Sequence, residues 1–517
     1  MKRIIYVYLA LILCFSLGVG RIISLNFDEV YSVVADNSRK STKIGDVRGT
    51  IFDCNGVRLT NEEYEYFVAV PPTAEGVNAV ADFIDENDRK TLATGFPVSV
   101  KVNEQFYSDS VVKVKIPKRY SGIAAHIIGY CDENGDGICG IEKSYNEILK
   151  GKTIKVSFDT NAIGEVISNT GQVENDVGYA GNGVMLTIDK SVQQICETVA
   201  KKYIEKGAIV VLENATGKIR ACVSMPEYNP NDVSSSLDSP SSPFYIRTLG
   251  AYNCGSVFKL CVAAAALYYD VDFSTSCNGS ITVGDTTFNC LGKHKRVDLK
   301  NALAVSCNCY FIELGQKIGA KKLLSFAKSM GFSTEISLCS SLVSTGASLP
   351  ELSDLQQRAA ELANFSFGQG VIMTSPLQIA SMIQCIANEG KLIKPTLVEG
   401  ETDENGKLIT IAKNTLPTYI LSKDDANTLS EYMVNVVENG TGISAKPRNS
   451  GAGGKTATAQ TGIYDKEGNA VYQTWFGGFY PAKNPQYTIV VLCENGESGS
   501  KTAAPVFKEI ADGIYGF

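Results

Sequence analysis

The sequence predicts an α+β protein in which an antiparallel sheet is flanked by helices, preceded by a β-rich N-terminal domain and one transmembrane helix. Three observations predict it. In the C-terminal two thirds, strand-like apolar runs stand at both ends of a mostly helical middle. Before them, short strand-like runs alternate with turns, and the chain opens with an uncharged apolar run. Strands that enclose a helical segment are typical of a sheet with helices on both faces.

The composition limits which classes of protein this can be. The 517 residues suffice for two or three domains, and the net charge of −7 indicates no general affinity for nucleic acid. Only two histidines occur, His126 and His294. A Ser-His-Asp triad or a His-rich metal site therefore has almost no residues to be built from.

The first 25 residues predict a cytoplasmic tip and a membrane anchor. Met1-Lys-Arg is followed by 4–20, which carries no charge before Arg21. Seventeen residues lie at the short end for a spanning helix, and a signal peptide cleaved near 18–20 is the alternative. Further apolar residues after Arg21 favour an uncleaved anchor, with Lys2 and Arg3 cytoplasmic and the remaining chain outside the membrane.

Residues 26–180 predict a β-rich domain without a long helix. Short apolar runs such as 67–70 and 111–116 alternate with turns, and Asn55-Gly56 is typical of a hairpin turn. Residues 181–517 then form a second domain.

The second domain is predicted to begin and end with strands. Its predicted elements are a strand at 184–189, a helix at 191–206, a hairpin of 208–212 with 218–223, a mostly helical segment to about 390, strands at 454–461, 474–480 and 487–493, and a final helix at 503–515.

The central motif of this domain is Ser256-Val-Phe-Lys259, which opens an Ala-rich run that predicts a buried helix. Residues three apart on a helix share one face, so the two side chains can touch. A serine hydroxyl needs a neighbouring base to become a nucleophile, and burial lowers the pKa of a lysine. On its own the pair is also typical of an ordinary helix start.

Two further motifs follow in the same domain. Ser306-Cys307-Asn308 offers a hydroxyl and an amide between two helical stretches, 297–305 and 311–318, although Ser and Asn also favour helix N-caps. Lys455-Thr456-Ala457-Thr458 leads a strand and offers a cation, two hydroxyls and backbone N–H groups. Alone it is equally typical of a solvated edge strand.

Together, in this order, the three motifs resemble those of the penicillin-recognising serine transferases and hydrolases. Segments 367–370 (Phe-Gly-Gln-Gly), 374–378 and 475–481 are similar to further signatures of that family. Arg48-Gly49, Asp53, Asn55-Gly56, and 140–145 resemble the N-terminal pedestal of the class B penicillin-binding proteins. The resemblance covers nearly the whole chain and implies a penicillin-binding transpeptidase or serine β-lactamase-like fold in 181–517, with 26–180 as the pedestal (dimerisation-type) domain.

The resemblance implies acyl transfer on peptidoglycan stem peptides that end in D-Ala-D-Ala. It implies that Ser256 attacks the carbonyl, that Lys259 takes its proton, and that Ser306 relays a proton to the leaving D-Ala. An amine of a neighbouring stem peptide then accepts the acyl group, whereas β-lactams leave a slowly hydrolysed one.

The remaining implied roles concern substrate binding. Asn308 is expected to hold the substrate amide and Lys259, and Lys455 to add positive potential. The hydroxyls of Thr456 and Thr458 are expected to hold the terminal carboxylate, and the backbone N–H groups of Ser256 and Thr458 to form the oxyanion hole.

Two positions depart from the family pattern. Ala457 replaces a usual glycine, and its methyl group either crowds the substrate or lies on the far face of the strand; we expect retained activity with an altered β-lactam preference. Cys254 replaces a usual proline close to the nucleophile, and we expect thiol reagents to inhibit through it.

Alternative functions are a D,D-carboxypeptidase or β-lactamase-type hydrolase, which uses water in place of the amine, and a catalytically silent scaffold of a cell-wall synthesis complex. The anchor and pedestal favour cross-linking, and the presence of Ser256 and Lys259 argues against a silent scaffold. The resemblance implies a membrane glycan polymerase as partner.

No cofactor and no metal are expected. Asp132–Gly137 matches the first half of an EF-hand loop, but the acid at Glu142 stands one place too early, so a polar hairpin is favoured. The fifteen cysteines form no C-x-x-C pair. A disulfide between Cys277 and Cys290 and a set of buried free thiols both remain open.

Overall fold

The computed structural model describes residues 2–27, 38–175, 181–413, 415–464 and 467–516. The chain divides into two compact units. Unit 1 comprises 1–49, 61–119 and 150–181, and unit 2 comprises 50–60, 120–149 and 182–517. The predicted domain boundary at residue 180 lies outside the described residues.

The strands are, in chain order, β1 (Arg39–Val47), β2 (Ile51–Phe52), β3 (Thr60–Val70), β4 (Val98–Val102), β5 (Val112–Tyr120), β6 (Lys152–Asp159), β7 (Gln172–Glu174), β8 (Gly183–Leu186), β9 (Gly207–Glu213), β10 (Ile219–Met225), β11 (Tyr252–Asn253), β12 (Thr275–Cys277), β13 (Ser280–Val283), β14 (Thr286–Asn289), β15 (Lys295–Val297), β16 (Ser337–Cys339), β17 (Leu342–Val343), β18 (Met373–Thr374), β19 (Lys391–Leu392), β20 (Val398–Thr402), β21 (Thr418–Tyr419), β22 (Gly453–Tyr464), β23 (Ala470–Tyr480) and β24 (Tyr487–Glu494).

The α-helices are α1 (Lys2–Phe27), α2 (Ala74–Ala79), α3 (Glu86–Ala93), α4 (Ala125–Ile128), α5 (Gly140–Ser144), α6 (Asn146–Leu149), α7 (Lys190–Tyr203), α8 (Lys259–Tyr268), α9 (Leu299–Ala304), α10 (Asn308–Ile318), α11 (Ala320–Ser329), α12 (Leu352–Gln357), α13 (Ala359–Ser366), α14 (Pro376–Ala387), α15 (Lys423–Asn439) and α16 (Ala504–Ile514).

Unit 1 holds two small sheets, ordered β1-β6-β7 and β4-β3-β5. The apolar side chains of β6, Ile154, Val156 and Phe158, stand at every second position and are buried in one apolar cluster. This period of two is what a sheet buried on one face requires. Apart from α1, the helices of unit 1 are short, in keeping with the predicted β-rich character.

The sequence analysis expects a membrane-spanning helix at the start of the chain. Within the part of the chain that the structure describes, no helix meets the length and apolarity needed to cross a membrane.

Unit 2 is built on an antiparallel sheet of order β10-β9-β24-β23-β22. Alternate residues of β9 point to opposite faces: Val210 and Leu212 pack in one apolar cluster, and Ile209 and Val211 in another. The first cluster contains α8 and α14, and the second contains α7 and α16. The predicted antiparallel sheet with helices on both faces is confirmed, and β22 forms one edge of it.

Unit 2 also includes 50–60 and 120–149, which fall in the range that the sequence analysis assigns to the N-terminal domain. The reason is packing, because Ile51, Ile127 and Ile141 are buried in the first apolar cluster. The carboxylate of Asp53 adds polar contacts: it accepts hydrogen bonds from the N–H groups of Val57 and Lys190, at 2.7 and 3.1 Å.

The helical middle of unit 2 differs from the prediction in two ways. Residues 275–297 form two small strand pairs, β12–β15 and β13–β14, instead of helix. Helix α10 begins at Asn308, three residues before the predicted start, because the sulfur of Cys307 accepts the N–H of Tyr310 and caps the helix. Cysteine is not a usual N-cap, so the sequence did not indicate this start.

The EF-hand-like segment forms a tight polar turn. The carboxylate of Asp132 accepts the N–H groups of Asn134 and Asp136, each at 2.9 Å, and Cys131 pairs with Gly137 across the turn. An aspartate that satisfies its own turn in this way is an ordinary Asx motif.

Candidate active site

Ser256 lies in a 3-10 turn, Gly255–Phe258, that leads directly into α8. The sequence predicted an α-helical first turn, but the tighter turn serves the same purpose, because residues i and i+3 of a 3-10 helix eclipse one another. Gly255 has φ +53°, and a Cβ there would stand 3.0 Å from the Cβ of Ala459 on β22. The glycine thus allows the nucleophile turn to approach the edge strand.

The amine of Lys259 is completely buried among polar acceptors. Its Nζ donates to the carbonyl oxygen of Ser306 at 2.8 Å, to the Oγ of Ser306 at 3.2 Å and to the Oδ1 of Asn308 at 2.7 Å. Burial lowers the pKa of Lys259 to about 8, against the raising effect of three nearby thiols, those of Cys290, Cys307 and Cys309. At pH 7 about a tenth of this amine is then neutral and can act as a base, and the neutral fraction rises with pH.

Ser306 stands between two lysines. The buried Nζ of Lys455 donates to the Oγ of Ser306 at 3.0 Å and to the carbonyl oxygen of Thr456 at 2.9 Å. Burial and the charge of Lys259 hold the pKa of Lys455 well below its usual value. One hydroxyl therefore connects two buried amines that cannot both carry a charge without cost, which is a suitable arrangement for moving a proton.

Asn308 is held from both ends of its amide. Its Oδ1 accepts the Lys259 amine, and its Nδ2 donates to the carbonyl oxygen of Asn289 at 2.9 Å. Asn308 also lines the cleft described below. The structure thus brings Lys259, Ser306, Asn308 and Lys455 into one hydrogen-bonded network, and Ser256 lies one turn before Lys259.

The two threonines of β22 differ in surroundings. Thr456 is buried, and its hydroxyl lies 2.8 Å from the hydroxyl of Thr441. Thr458 is exposed at the cleft, and its Oγ accepts the N–H of Gly499 at 3.1 Å. Of the two predicted carboxylate ligands, only Thr458 lines the cleft.

The cleft beside this network has a volume of about 940 Å³. Sequence reasoning identified Asn308, Thr458 and the Phe367–Gly370 segment, of which Phe367, Gln369 and Gly370 line the cleft. Among the lining residues that it missed, three groups had no local pattern to give a signal. They are residues 287–291, the polar residues Gln460 and Tyr472 beyond Thr458, and the pair Glu497 and Ser498.

The surroundings of Cys254 argue against the expectation that thiol reagents inhibit through it. The Cys254 side chain is completely buried, and burial raises the pKa of its thiol to about 12. A thiol with neither access nor thiolate character reacts slowly.

Ala457 is buried and packs in the same apolar cluster as Val257 and Phe258. Of the two alternatives for its methyl group, this position favours the one that keeps it out of the substrate cleft. The substitution Ala457→Gly is expected to leave acylation by β-lactams unchanged and to lower the free energy of unfolding by about 1–2 kcal/mol, because a methyl contact and backbone restriction are lost.

The measurement is a set of acylation rates with several β-lactams, beside thermal unfolding. A changed order of preference among the β-lactams would show that the methyl group reaches the cleft after all, as the sequence analysis expected.

Comparisons with known proteins find related sequences and related folds. The sequence profile of the penicillin binding protein transpeptidase domain matches residues 207–512. Peptidoglycan D,D-transpeptidase MrdA of Acinetobacter baumannii is 27% identical, over 93% of this chain and 83% of the relative. Stage V sporulation protein D of Bacillus subtilis is 27% identical, over 98% and 84% respectively.

Among solved structures, one similar fold is the D,D-transpeptidase domain of a peptidoglycan glycosyltransferase from Eggerthella lenta. It superposes with a TM-score of 0.67 at 26% identity, over 90% of this chain and 98% of that one.

Proposed function

The chain belongs to the penicillin-binding protein transpeptidase family, as a class B member and a peptidoglycan D,D-transpeptidase, and from this membership we propose which residues carry the reaction. The observation that supports the assignment is the network in which one buried amine, Lys259, contacts both Ser306 and Asn308, while Lys455 contacts Ser306 from the other side. Ser256 is the nucleophile beside it.

Acylation uses Lys259 as the base. Neutral Lys259 takes the proton of the Ser256 hydroxyl as its Oγ forms a bond to the carbonyl carbon between the two D-alanines. The developing oxyanion receives hydrogen bonds from the backbone N–H groups of Ser256 and Thr458.

The leaving group needs a proton when the C–N bond breaks. The hydroxyl of Ser306 gives its proton to the nitrogen of the departing D-Ala and regains one from Lys259, which returns that amine to its neutral form. Lys455 donates a hydrogen bond to the hydroxyl of Ser306 from the other side and adds positive potential whenever its own amine is protonated, and Asn308 holds both Lys259 and the substrate amide.

The substrate carboxylate is bound at the edge of β22. Thr458 offers a hydroxyl at the cleft, and Lys455 offers charge behind it. Thr456 contributes by fixing the strand through its contact with Thr441, although a direct bond to the carboxylate remains our prediction from the family pattern.

The acyl group is then transferred from Ser256 to an amine, by the steps of acylation in reverse order. The amine nitrogen of a second stem peptide bonds to the acyl carbon, its proton passes to the network, and the ester bond to Ser256 breaks with recovery of the serine hydroxyl. The product is a cross-linked peptide, and one D-Ala has been released for each cross-link.

The test supplies a stem pentapeptide as donor and an amine acceptor, and separates the products by mass. We expect the cross-linked product to grow with acceptor concentration at the expense of the hydrolysed donor. Only hydrolysed donor at every acceptor concentration would contradict transferase function and favour the carboxypeptidase alternative.

The architecture of the full chain is part of the same proposal. Residues 26–180 serve as the pedestal and 181–517 as the transpeptidase domain. The uncharged run 4–20 within α1 serves as the membrane anchor, with Lys2 and Arg3 cytoplasmic and the catalytic domain outside. Such a placement would set Ser256 beside the peptidoglycan and the anchor beside a membrane glycan polymerase partner.

The anchor leads to a direct prediction. The chain of 517 residues is expected to sediment with membranes and to resist extraction by high salt, whereas a chain that lacks residues 1–27 is expected to be recovered in the supernatant. Sedimentation of the shortened chain with membranes would contradict anchoring through α1.

A further inference from the structure

Four side chains that could bind a metal converge on the Ser306–Asn308 turn. Cys277, Cys290, His294 and Cys307 each direct one sulfur or nitrogen atom to a common point, and these four atoms all lie within 4.8 Å of one another. Cys277 and Cys307 are buried, and the other two are half-buried. Neither the reaction above nor the family comparison uses any of them.

Two of the distances between these atoms match those of a tetrahedral metal centre. Zn–S bonds of about 2.3 Å and Zn–N bonds of about 2.0–2.1 Å place two sulfurs about 3.8 Å apart and a sulfur and a nitrogen about 3.5 Å apart. The sulfurs of Cys290 and Cys307 are 3.8 Å apart, and the sulfur of Cys290 lies 3.5 Å from the Nδ1 of His294.

The fold builds this cluster from separated parts of the chain. The N–H of Cys290 donates to the carbonyl oxygen of Gly279 at 2.9 Å, which closes the β13–β14 hairpin between Cys277 and Cys290. The pairing of β12 with β15 sets Cys277 opposite Lys295, the residue after His294. Cys307 joins from the start of α10.

Backbone groups around the cluster favour negatively charged sulfur. The N–H of Asn308 donates to the sulfur of Cys290 at 3.2 Å, and the N–H of Tyr310 donates to the sulfur of Cys307 at 3.5 Å. Hydrogen bonds of this kind orient and tune thiolate ligands. Three thiolates and one imidazole form a closed donor set that suits zinc and does not suit calcium or magnesium.

We propose that Cys277, Cys290, His294 and Cys307 bind one structural Zn²⁺, an inference independent of the transpeptidase mechanism. Binding displaces up to three thiol protons and leaves no open coordination position, so the metal takes no part in the acyl transfer. It ties residues 275–297 to the turn that carries Ser306 and Asn308. Because Asn308 also donates to Asn289 in the same segment, the metal would hold the Lys259 network and one wall of the cleft in place.

Two alternatives use the same cysteines. None of the fifteen cysteines, all of which lie in the described residues, forms a disulfide, and this includes Cys277 and Cys290, for which the sequence left one open. A disulfide would consume thiols without binding metal. Cys309 is buried close to Cys277 and Cys290 and is a possible replacement ligand. The experiment below distinguishes the proposed zinc site from a disulfide and from a site in which Cys309 is a ligand.

The experiment measures bound zinc on the complete chain, purified under reducing conditions, dialysed against Zn²⁺ and then freed of loose metal. We compare the wild type with Cys290→Ala, His294→Gln and Cys309→Ala, and with Cys385→Ala as the matched control, a buried cysteine of α14. Co²⁺ replaces Zn²⁺ in parallel, because tetrahedral thiolate coordination gives it a distinct visible absorption.

We expect about one Zn²⁺ per chain in the wild type, Cys309→Ala and Cys385→Ala, and at least a tenfold weaker affinity in Cys290→Ala and His294→Gln. Chelation of the wild type should lower the unfolding temperature and slow acylation by penicillin, with recovery on adding Zn²⁺. His294→Gln keeps a polar side chain, so the test remains valid if Cys290→Ala fails to fold.

Three results would overturn the proposal. They are a wild type that binds no more zinc than His294→Gln, a cobalt spectrum without thiolate coordination, and a Cys277–Cys290 disulfide in the reduced preparation. Loss of zinc in Cys309→Ala with retention in the other variants would equally contradict the proposed ligand set. A failed transferase assay alone would leave the zinc result standing, so the two proposals are tested separately.

Discussion

Ser256→Ala is expected to abolish the covalent penicillin adduct of this protein. The wild-type chain, incubated with a fluorescent penicillin, should gain the mass of one β-lactam, because the ring opens on the Oγ of Ser256 and the acyl group is hydrolysed slowly. Alanine removes the only atom that can form this bond, and the remaining network cannot replace it. Intact mass and in-gel fluorescence measure the outcome.

The control is Ser329→Ala, which removes a serine hydroxyl outside the cleft lining. It should acquire the adduct as the wild type does. An adduct on folded Ser256→Ala would place the nucleophile elsewhere. A folded wild type without any adduct would contradict the acyl-enzyme mechanism as a whole.

Lys259→Met is expected to lower the rate of acylation by about 10²–10⁴-fold, the usual contribution of a general base. Methionine nearly matches the length of lysine but has no proton-accepting nitrogen. Lys259→Arg should be equally slow, since a guanidinium remains protonated and cannot serve as a base. The measurement is the second-order rate constant of acylation by a chromogenic β-lactam.

The pH profile separates the role of a base from that of a charge. Burial lowers the pKa of Lys259 to about 8, so the amine is mostly protonated below that pH and mostly neutral above it. The wild-type rate should therefore rise with pH and level off above about 8. Lys455 faces Lys259 across Ser306, and burial together with the charge of Lys259 holds the pKa of Lys455 well below its usual value.

The variants Lys259→Met and Lys259→Arg should lose this rise, whereas Lys321→Met, an exposed lysine of α11, should keep the wild-type profile. A rise with the same midpoint in Lys259→Met would assign the base to another group. A wild-type rate that falls between pH 6 and 8 would mean that protonated Lys259 is the active form.

Local sequence patterns predicted the site motifs and the antiparallel sheet. The spacing of Ser256 and Lys259, the hydroxyl and amide of Ser306 and Asn308, and the strand that starts near Lys455 were recognisable because each depends on a few adjacent residues. The antiparallel sheet followed from apolar runs whose period of two is a property of the strand itself.

The candidate metal site depends on long-range packing, which the sequence does not show. Cys277, Cys290, His294 and Cys307 are spaced Cys-x12-Cys-x3-His-x12-Cys, with one short pair, Cys290 and His294, and no second short pair to complete a recognisable metal motif. Only the folding of 275–297 brings the four together.

The sequence also did not predict which side of a strand or turn faces the core. Ala457 and Cys254 looked like departures beside the substrate, yet both are buried, and Thr456 contacts Thr441 away from the cleft. A sequence determines which chemical groups a segment can present, because that depends on neighbours along the chain. Which of these groups meet, and which are shielded from water, depends on contacts between residues far apart in the chain, and only the tertiary structure decides them.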